Sequence, residues 1–178
     1  MKFEFPSEPH EKEAKKFIEE FYTAASAING DDGLARYLQN LSYAQWLDKL
    51  QRDLDIANMP PERVPSFTYF YVSEEGRIIG IINIRTTLNA FLLQEGGHIG
   101  YSIRPSERGK GYGKAMLRET SDFCRKAGIW PLLLVCSKEN RASAAIIQSC
   151  GGILENETIG DQNNGLIQRY WIGKNSQN

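Results

Sequence analysis

The sequence predicts an α/β domain of the α+β kind, with a mixed central sheet of about seven strands flanked by about four helices. Three observations carry that prediction. Helical and strand-like periodicities alternate along the whole chain, strands arrive in groups as well as between helices, and 178 residues suffice for one sizeable core. No internal repeat, low-complexity tract or linker interrupts the pattern. Residues 1–178 therefore read as a single domain, with 173–178 as a polar, frayed tail.

Taken in order, residues 2 to 5 alternate as a short strand that ends at Pro6, and Ser7 can cap the helix that follows. From Ala14 the apolar residues Phe17, Ile18, Phe21, Tyr22, Ala25 and Ile28 recur at intervals of three and four. That spacing predicts an amphipathic helix ending near Gly30. Ser42 starts a second helix with Tyr43, Trp46, Leu47, Leu50 and Leu54 on one face, and Pro60-Pro61 ends it. The period then changes. Phe67 to Val72 is aromatic and β-branched, Glu74-Glu75-Gly76 supplies a turn, and Arg77 to Arg85 is the partner strand of a hairpin.

Residues 87 to 95 read as a loop or helical turn, and His98 to Ile103 as a further strand. A long helix is predicted from about Lys110 to Ala127, with Met116, Leu117, Thr120, Phe123 and Ala127 facing the core. Leu132 to Cys136 is a short buried strand, and Asn140 to Cys150 a helix stopped by Gly151-Gly152. Two closing strands, Ile153 to Ile159 and Leu166 to Ile172, flank a loop at Asp161-Gln162-Asn163-Asn164-Gly165.

Composition excludes several classes of function. A net charge of −1 gives no basic excess for nucleic acid. Without that excess, Phe67, Tyr69, Phe70 and Tyr71 read as packing residues rather than a base-stacking surface, as do Trp46 and Trp130. No window reaches the ~20 apolar residues of a membrane span, and the N-terminus lacks the pattern of a signal peptide. The expected location is the cytoplasm. Cys124, Cys136 and Cys150 have no metal-ligand spacing and read as reduced, buried thiols, so no metal is expected.

The segment that carries chemistry is Arg104-Pro105-Ser106-Glu107-Arg108-Gly109-Lys110-Gly111-Tyr112-Gly113-Lys114. A strand ends, and a glycine-studded turn opens into an amphipathic helix. Glycines let a ligand approach the backbone closely. The first helical turn offers unsatisfied N–H donors and the positive end of a dipole. Arg108, Lys110 and Lys114 add charge, and the whole describes a site for a di- or polyphosphate. The alternative is a solvated glycine-rich loop. The Walker spacing fails, because Gly113-Lys114 is followed by Ala115, and the dinucleotide fingerprint fails because its third glycine falls one residue early.

Arg108-Gly109-Lys110-Gly111-Tyr112-Gly113 resembles the Q/R-x-x-G-x-G/A signature of the GNAT N-acetyltransferases, and the element order is similar from about residue 1 to 172. Asn140 and Gly151-Gly152 fit positions that family often marks. Gly96 to Pro105 looks like a bacterial branch of predicted acetyltransferases. The resemblance implies the GNAT fold and an acetyl group moved from acetyl-CoA to a primary amine of a small or amino-acid-like acceptor. Tyr101, Ser102 and Ile103 would hold the pantetheine arm through their backbone. The N–H groups of Arg108, Gly109, Lys110, Gly111, Tyr112, Gly113 and Lys114 would hold the pyrophosphate, with Asn140 beside the cofactor. Strands ending near Ile103 and starting near Leu132 would splay to admit the thioester. A homodimer is implied by resemblance only.

Direct transfer needs a neutral amine, a polarised carbonyl and a stabilised thiolate. His98 precedes the cofactor strand and has a suitable unperturbed pKa for a base; the alternative is an ordinary strand histidine. It should share a face with Gly100 and Ser102. Glu95 is a second candidate. Asn83 and Arg85 share one face of their strand and either bind the acceptor or face solvent. Many relatives carry a tyrosine acid seven residues after the asparagine, where this chain has Ile147. Tyr101 is the replacement acid considered first, with Tyr112 and Ser143 as others. Ile147 also leaves open a non-catalytic acyl-CoA sensor or scaffold of the same fold. A nucleotide-binding domain using the same turn is a third reading, which the failed Walker spacing disfavours.

Overall fold

A computed structural model describes residues 1–54, 56–60, 62–160 and 165–174. The Pro61 half of the predicted helix stop, the loop at 161–164 and the end of the predicted tail, 175–178, lie outside the described residues. Contacts divide the chain into two compact units, Met1–Arg85 with Gly100–Tyr112, and Thr86–Ile99 with Gly113–Asn178. The described residues form the expected seven strands, distributed over a four-stranded and a three-stranded sheet.

In the first unit, β1 (Lys2–Glu4), β2 (Ser66–Val72), β3 (Ile78–Arg85) and β4 (Ile99–Ile103) lie in that order across the sheet. The hairpin β2–β3 is antiparallel, pairing Thr68 with Asn83 and Phe70 with Ile81. Three helices accompany it, α1 (Glu11–Thr23), α2 (Leu34–Asn40) and α3 (Tyr43–Arg52). Phe17, Ile18 and Phe21 of α1, Trp46 and Leu50 of α3, and Phe70, Val72, Ile78 and Ile81 of the hairpin make one fully buried core. The aromatic run packs as expected, with Phe3 on Tyr71 and Trp46 near Phe70. Ser42 caps α3 by accepting the Gln45 N–H at 3.2 Å.

Two expectations change here. The first helix stops at Thr23, about two turns before Gly30, because Ala25 adopts a left-handed φ of 46°. The residues after it turn to β4 instead. Asn29 donates its N–H to Ser102 Oγ at 2.7 Å and accepts the Ser102 hydroxyl at 2.9 Å. Gly30 lies so close to Gly100 that a Cβ on it would sit 2.0 Å from the Gly100 carbonyl oxygen. The short helix α2 is an addition to the predicted elements, since Leu34 is its one fully buried residue and a single apolar contact leaves no periodic signal.

Arg104, 3 % exposed at its side chain, organises the end of β4. It bonds Glu13 at 2.6 Å, Glu20 at 2.7 Å and the Ile78 carbonyl at 2.8 Å. Burial would raise the Glu20 carboxyl, but hydrogen bonds from the Ser106 hydroxyl and N–H, with Arg104, outweigh it and hold the pKa at about 2. A depressed pKa contributes stability above the ordinary value of 4.5, lost as pH falls from there toward 2. Discounted for solvent on its open side, this amounts to about 1 kcal/mol. Glu20→Gln should therefore flatten the stability–pH curve between 4.5 and 2 in acid titration followed by circular dichroism.

In the second unit, β5 (Leu132–Ser137), β7 (Leu166–Ile172) and β6 (Gly152–Ile159) form an antiparallel sheet with β7 in the centre. Helices α4 (Tyr112–Lys126) and α5 (Arg141–Ser149) belong to it, and of the loop or helical turn expected over 87 to 95 the structure has the helical one, a π-helical turn at Leu92–Gly96. Met116, Leu117 and Thr120 of α4 are buried as predicted, but Phe123 is 47 % exposed and Ala127 is exposed. Gly113, Leu117, Thr120 and Cys124 continue the inward stripe at intervals of four, three and four, which leaves Phe123 off it. Trp130 packs against Gly173, where a Cβ would lie 2.0 Å from its ring.

Candidate functional site

The turn after β4 has the form the sequence predicts. Gly109 and Gly111 adopt φ of 77° and 84°, a region that strongly favours glycine, and a Cβ on either would meet nothing within 4 Å. Both are exposed, and helix α4 begins at the next residue, Tyr112. A helix start reached through two left-handed glycines presents backbone N–H groups to solvent at a positive dipole end, which suits an anion.

The three cations around it differ. Lys114 is exposed, and Lys110 pairs with Glu107 at 2.9 Å while more than half exposed. Arg108 is committed within the first unit, donating to the Ile103 carbonyl at 3.2 Å and to Ser26 Oγ at 2.9 Å, its guanidinium over the Phe21 ring. On β4, Tyr101 is half-buried while Ser102 and Ile103 are buried. The Ser102 hydroxyl serves the Asn29 clip, so any cofactor contact there falls to the backbone.

His98 departs from expectation. It is 8 % exposed, and its Nδ1 accepts the Leu133 N–H at 2.9 Å, while its backbone N–H donates to the Leu133 carbonyl at 2.7 Å. A fixed amide donor on Nδ1 requires a lone pair there, so the neutral ring carries its proton on Nε2. In this arrangement neither ring nitrogen is available to accept a proton from an amine. The geometry instead makes His98 a bracket for β5. The backbone before it is equally committed, since Gly97 has φ 64° and a Cβ there would lie 2.6 Å from Leu133 O.

Asn140 caps α5, its Oδ1 accepting the Ser143 N–H at 3.0 Å. Ile147 is 1 % exposed, and a Cβ on Gly152 would lie 2.4 Å from its Cγ2. Position 147 is thus filled by packed hydrocarbon and carries no hydroxyl.

Asn83 is 3 % exposed, which removes the solvent-face reading for that residue. Its amide donates to Thr68 Oγ1 at 3.0 Å, whose hydroxyl reaches Asp32 Oδ2 at 3.4 Å. Asp32 pairs with the buried Lys49 at 2.7 Å, and Lys49 with Asp53, which also takes Arg63 at 3.1 Å. Burial raises the Asp32 carboxyl, opposed by Lys49, and burial lowers Arg85, opposed by Asp32. Sequence reading missed Asp32 and Lys49. The available signal was Lys49 lying three residues after Trp46, on the buried face of α3.

Burial weakens two of the three cysteines as nucleophiles. Burial pushes the Cys124 thiol up to about 11 and raises Cys136, while Cys150 is half-buried rather than buried. Among the described residues, no group of three or more His, Cys, Asp and Glu side chains could hold a metal ion, and no helix is long and apolar enough to cross a membrane.

Known proteins share the fold. No curated protein matches the chain significantly in sequence. Among solved structures, the microcin C7 self-immunity acetyltransferase MccE, in complex with acetyl-CoA and AMP, superposes with a TM-score of 0.69 at 15 % identity, covering 97 % of this chain and 91 % of that one. The ribosomal-protein-S5-alanine acetyltransferase of Vibrio fischeri gives 0.67 at 16 % identity over 99 % and 94 %. A mutant form of the spermidine N-acetyltransferase SpeG of Vibrio cholerae gives 0.60 at 10 % identity over 97 % and 94 %. At such identities these likenesses speak for the fold. The profile of the Acetyltransferase (GNAT) family matches residues 32–151, and the chain belongs to that family.

Proposed function

We propose that the chain transfers the acetyl group of acetyl-CoA directly to a primary amine of a small-molecule or amino-acid-like acceptor. The observation that carries the reading is the exposed turn at Gly109 and Gly111, opening into α4 with no side chain over its backbone. The family match running through both compact units supports reading them as one acetyltransferase domain.

In this reading the backbone of Tyr101 to Ile103 holds the pantetheine arm and the N–H groups from Gly109 to Lys114 hold the pyrophosphate, with Asn140 beside the cofactor; the Arg108 N–H is taken by the Pro105 carbonyl at 3.3 Å. Asn83 and Arg85 line the acceptor's side, backed by Asp32. The amine nitrogen attacks the thioester carbonyl carbon, the new C–N bond forms, and the C–S bond breaks with its electron pair leaving on sulfur. The amine's proton passes to solvent. Tyr101 is the proposed donor to the thiolate, and a thiol pKa of about 8.5 keeps the demand on it small. His98, bound to Leu133, acts by positioning β5.

The second reading is a non-catalytic acyl-CoA binder, favoured by the buried Ile147. Calorimetric titration of acetyl-CoA into the wild type and Gly111→Glu separates cofactor binding from its absence. The variant forces a side chain to φ 84° and adds negative charge, and should weaken binding at least tenfold. Absence of binding by the wild type sinks both readings. Binding without acetylation of any amine in a broad panel selects the second.

A further inference from the structure

Hydrogen-bond chemistry decides which end of the Asn83 amide faces inward. Its neighbour across the β2–β3 pair, Thr68, is 1 % exposed, so the Thr68 hydroxyl must place its proton on an acceptor. The side chains in reach among the described residues are Asp32, with Oδ2 at 3.4 Å, and the Asn83 amide at 3.0 Å. Asp32 is paired with the buried Lys49 at 2.7 Å, and an ionised carboxylate can only accept. As the charged acceptor it takes the Thr68 proton. The Thr68 oxygen is left to accept, and only the Nδ2 end of Asn83 can donate to it. Asp32 is itself held in place. Its φ is a left-handed 49°, uncommon for a residue other than glycine, and its carbonyl accepts the Trp46 indole N–H at 3.2 Å.

The outward end of Asn83 is then its oxygen. Oδ1 has no hydrogen bond among the described residues, and it is not one of their fully buried orphan atoms, which lie on Thr120, Arg169 and Trp171. Solvent therefore reaches it, although the residue as a whole is 3 % exposed. Its strand, β3, lies next to β4, the strand assigned to the pantetheine arm. On that side the Arg85 guanidinium, two residues along, lies 3.7 Å from where a Cβ on Gly100 would sit. The choice of end matters because an amine attacks a thioester through its lone pair. A carbonyl oxygen accepts an amine N–H and leaves the lone pair free, whereas an NH2 group would hydrogen-bond the lone pair itself.

We propose that Asp32 and Thr68 are positioning residues for acetyl transfer: together they keep the Asn83 oxygen toward the acceptor nitrogen and its NH2 group away from it. The proposal rests on the transferase reading and adds to it two residues that touch neither substrate. In steady-state kinetics with the amine panel, hexylamine and alaninamide among its members, Thr68→Val should raise the amine KM about 5- to 15-fold. The acetyl-CoA KM should stay unchanged. Thr68→Ser keeps the hydroxyl and should restore the wild-type amine KM. Asp32→Asn can donate to Thr68 through its own NH2 group, which turns the relay round, and should raise the amine KM at least as much; Lys49 keeps Asp53 in that variant.

A double-mutant cycle separates positioning from general support of the fold. Thr68 acts through Asn83, so in an Asn83→Ala background Thr68→Val should change the amine KM by about twofold or less. Circular dichroism checks that each variant is folded, and Thr68→Ala replaces Thr68→Val should the valine variant not fold. An unmoved amine KM in the Thr68 variant, an equal rise in both KM values, or a full further loss in the Asn83→Ala background overturns the proposal. In those cases amine turnover by the wild type leaves the transferase reading standing. If the wild type binds no acetyl-CoA or acetylates no amine, that reading falls and the proposal falls with it.

Discussion

Replacing Arg104 by alanine should lower the unfolding free energy by about 3–4 kcal/mol, read from the midpoint of urea denaturation at constant slope. The guanidinium is buried with three partners, and its removal deprives the Glu13 and Glu20 carboxylates of the cation they share and the Ile78 carbonyl of the Arg104 side-chain donor. Removing one member of a buried pair is far more harmful than the pair is helpful, because the remaining charges stay desolvated. Packing is lost as well, since the guanidinium lies 5.8 Å from the centre of the Phe17 ring. Arg104→Lys keeps the charge but not the fork that reaches Glu13, Glu20 and Ile78 together, and should recover only part of the loss. A midpoint unchanged in Arg104→Ala would refute this account of how β4 is anchored.

Gly30→Ala should destabilise by about 3 kcal/mol, and Gly76→Ala by only about 1 kcal/mol, although both glycines have left-handed φ, 73° and 78°. The difference isolates contact from conformation. At Gly76 an added methyl meets nothing within 4 Å, whereas at Gly30 it lands 2.0 Å from a backbone oxygen of β4 that has no rotamer to escape into. Either the two backbones separate or the segment after α1 leaves the strand, and in both cases the Asn29 clip on Ser102 breaks. Hydrogen exchange at the Asn29 amide reports that break directly: protection lost in Gly30→Ala and kept in Gly76→Ala is the expected pattern. Equal destabilisation of the two variants would mean that the close approach to Gly100 contributes nothing.

Periodicity made most of the architecture legible. Each of the seven strands lies within about two residues of its predicted bounds, because β-branched runs closed by glycine, proline or polar turns leave little choice. The glycine turn was legible for a different reason, since Gly109 and Gly111 just before a helix point to a left-handed backbone, while Gly113 packs inside α4. What escaped was non-local. Ala25 and Ile28 fit a helical stripe, yet the chain leaves the helix because Gly100 and Ser102, some seventy residues on, offer Asn29 and Gly30 a better partner. His98 has the chemistry of a base, but the amide of Leu133 decides which of its nitrogens carries the proton, and no local pattern announces that. Asn83 reads as one of two polar residues in an apolar strand; its burial depends on Thr68 and Asp32 from elsewhere in the chain.

Arg108 gives the segment after α1 a reciprocal relation to anions. The same guanidinium that belongs to the glycine turn holds Ser26 Oγ at 2.9 Å. Thermodynamic reciprocity requires that if an anion competes for those N–H groups, the anion and the segment weaken each other by the same factor. If the anion instead uses only backbone amides and leaves Arg108 on Ser26, the segment's order is indifferent to it. The Ser26 hydroxyl is thus one direct link between the turn and residues 24 to 33, beside the Asn29 clip on Ser102.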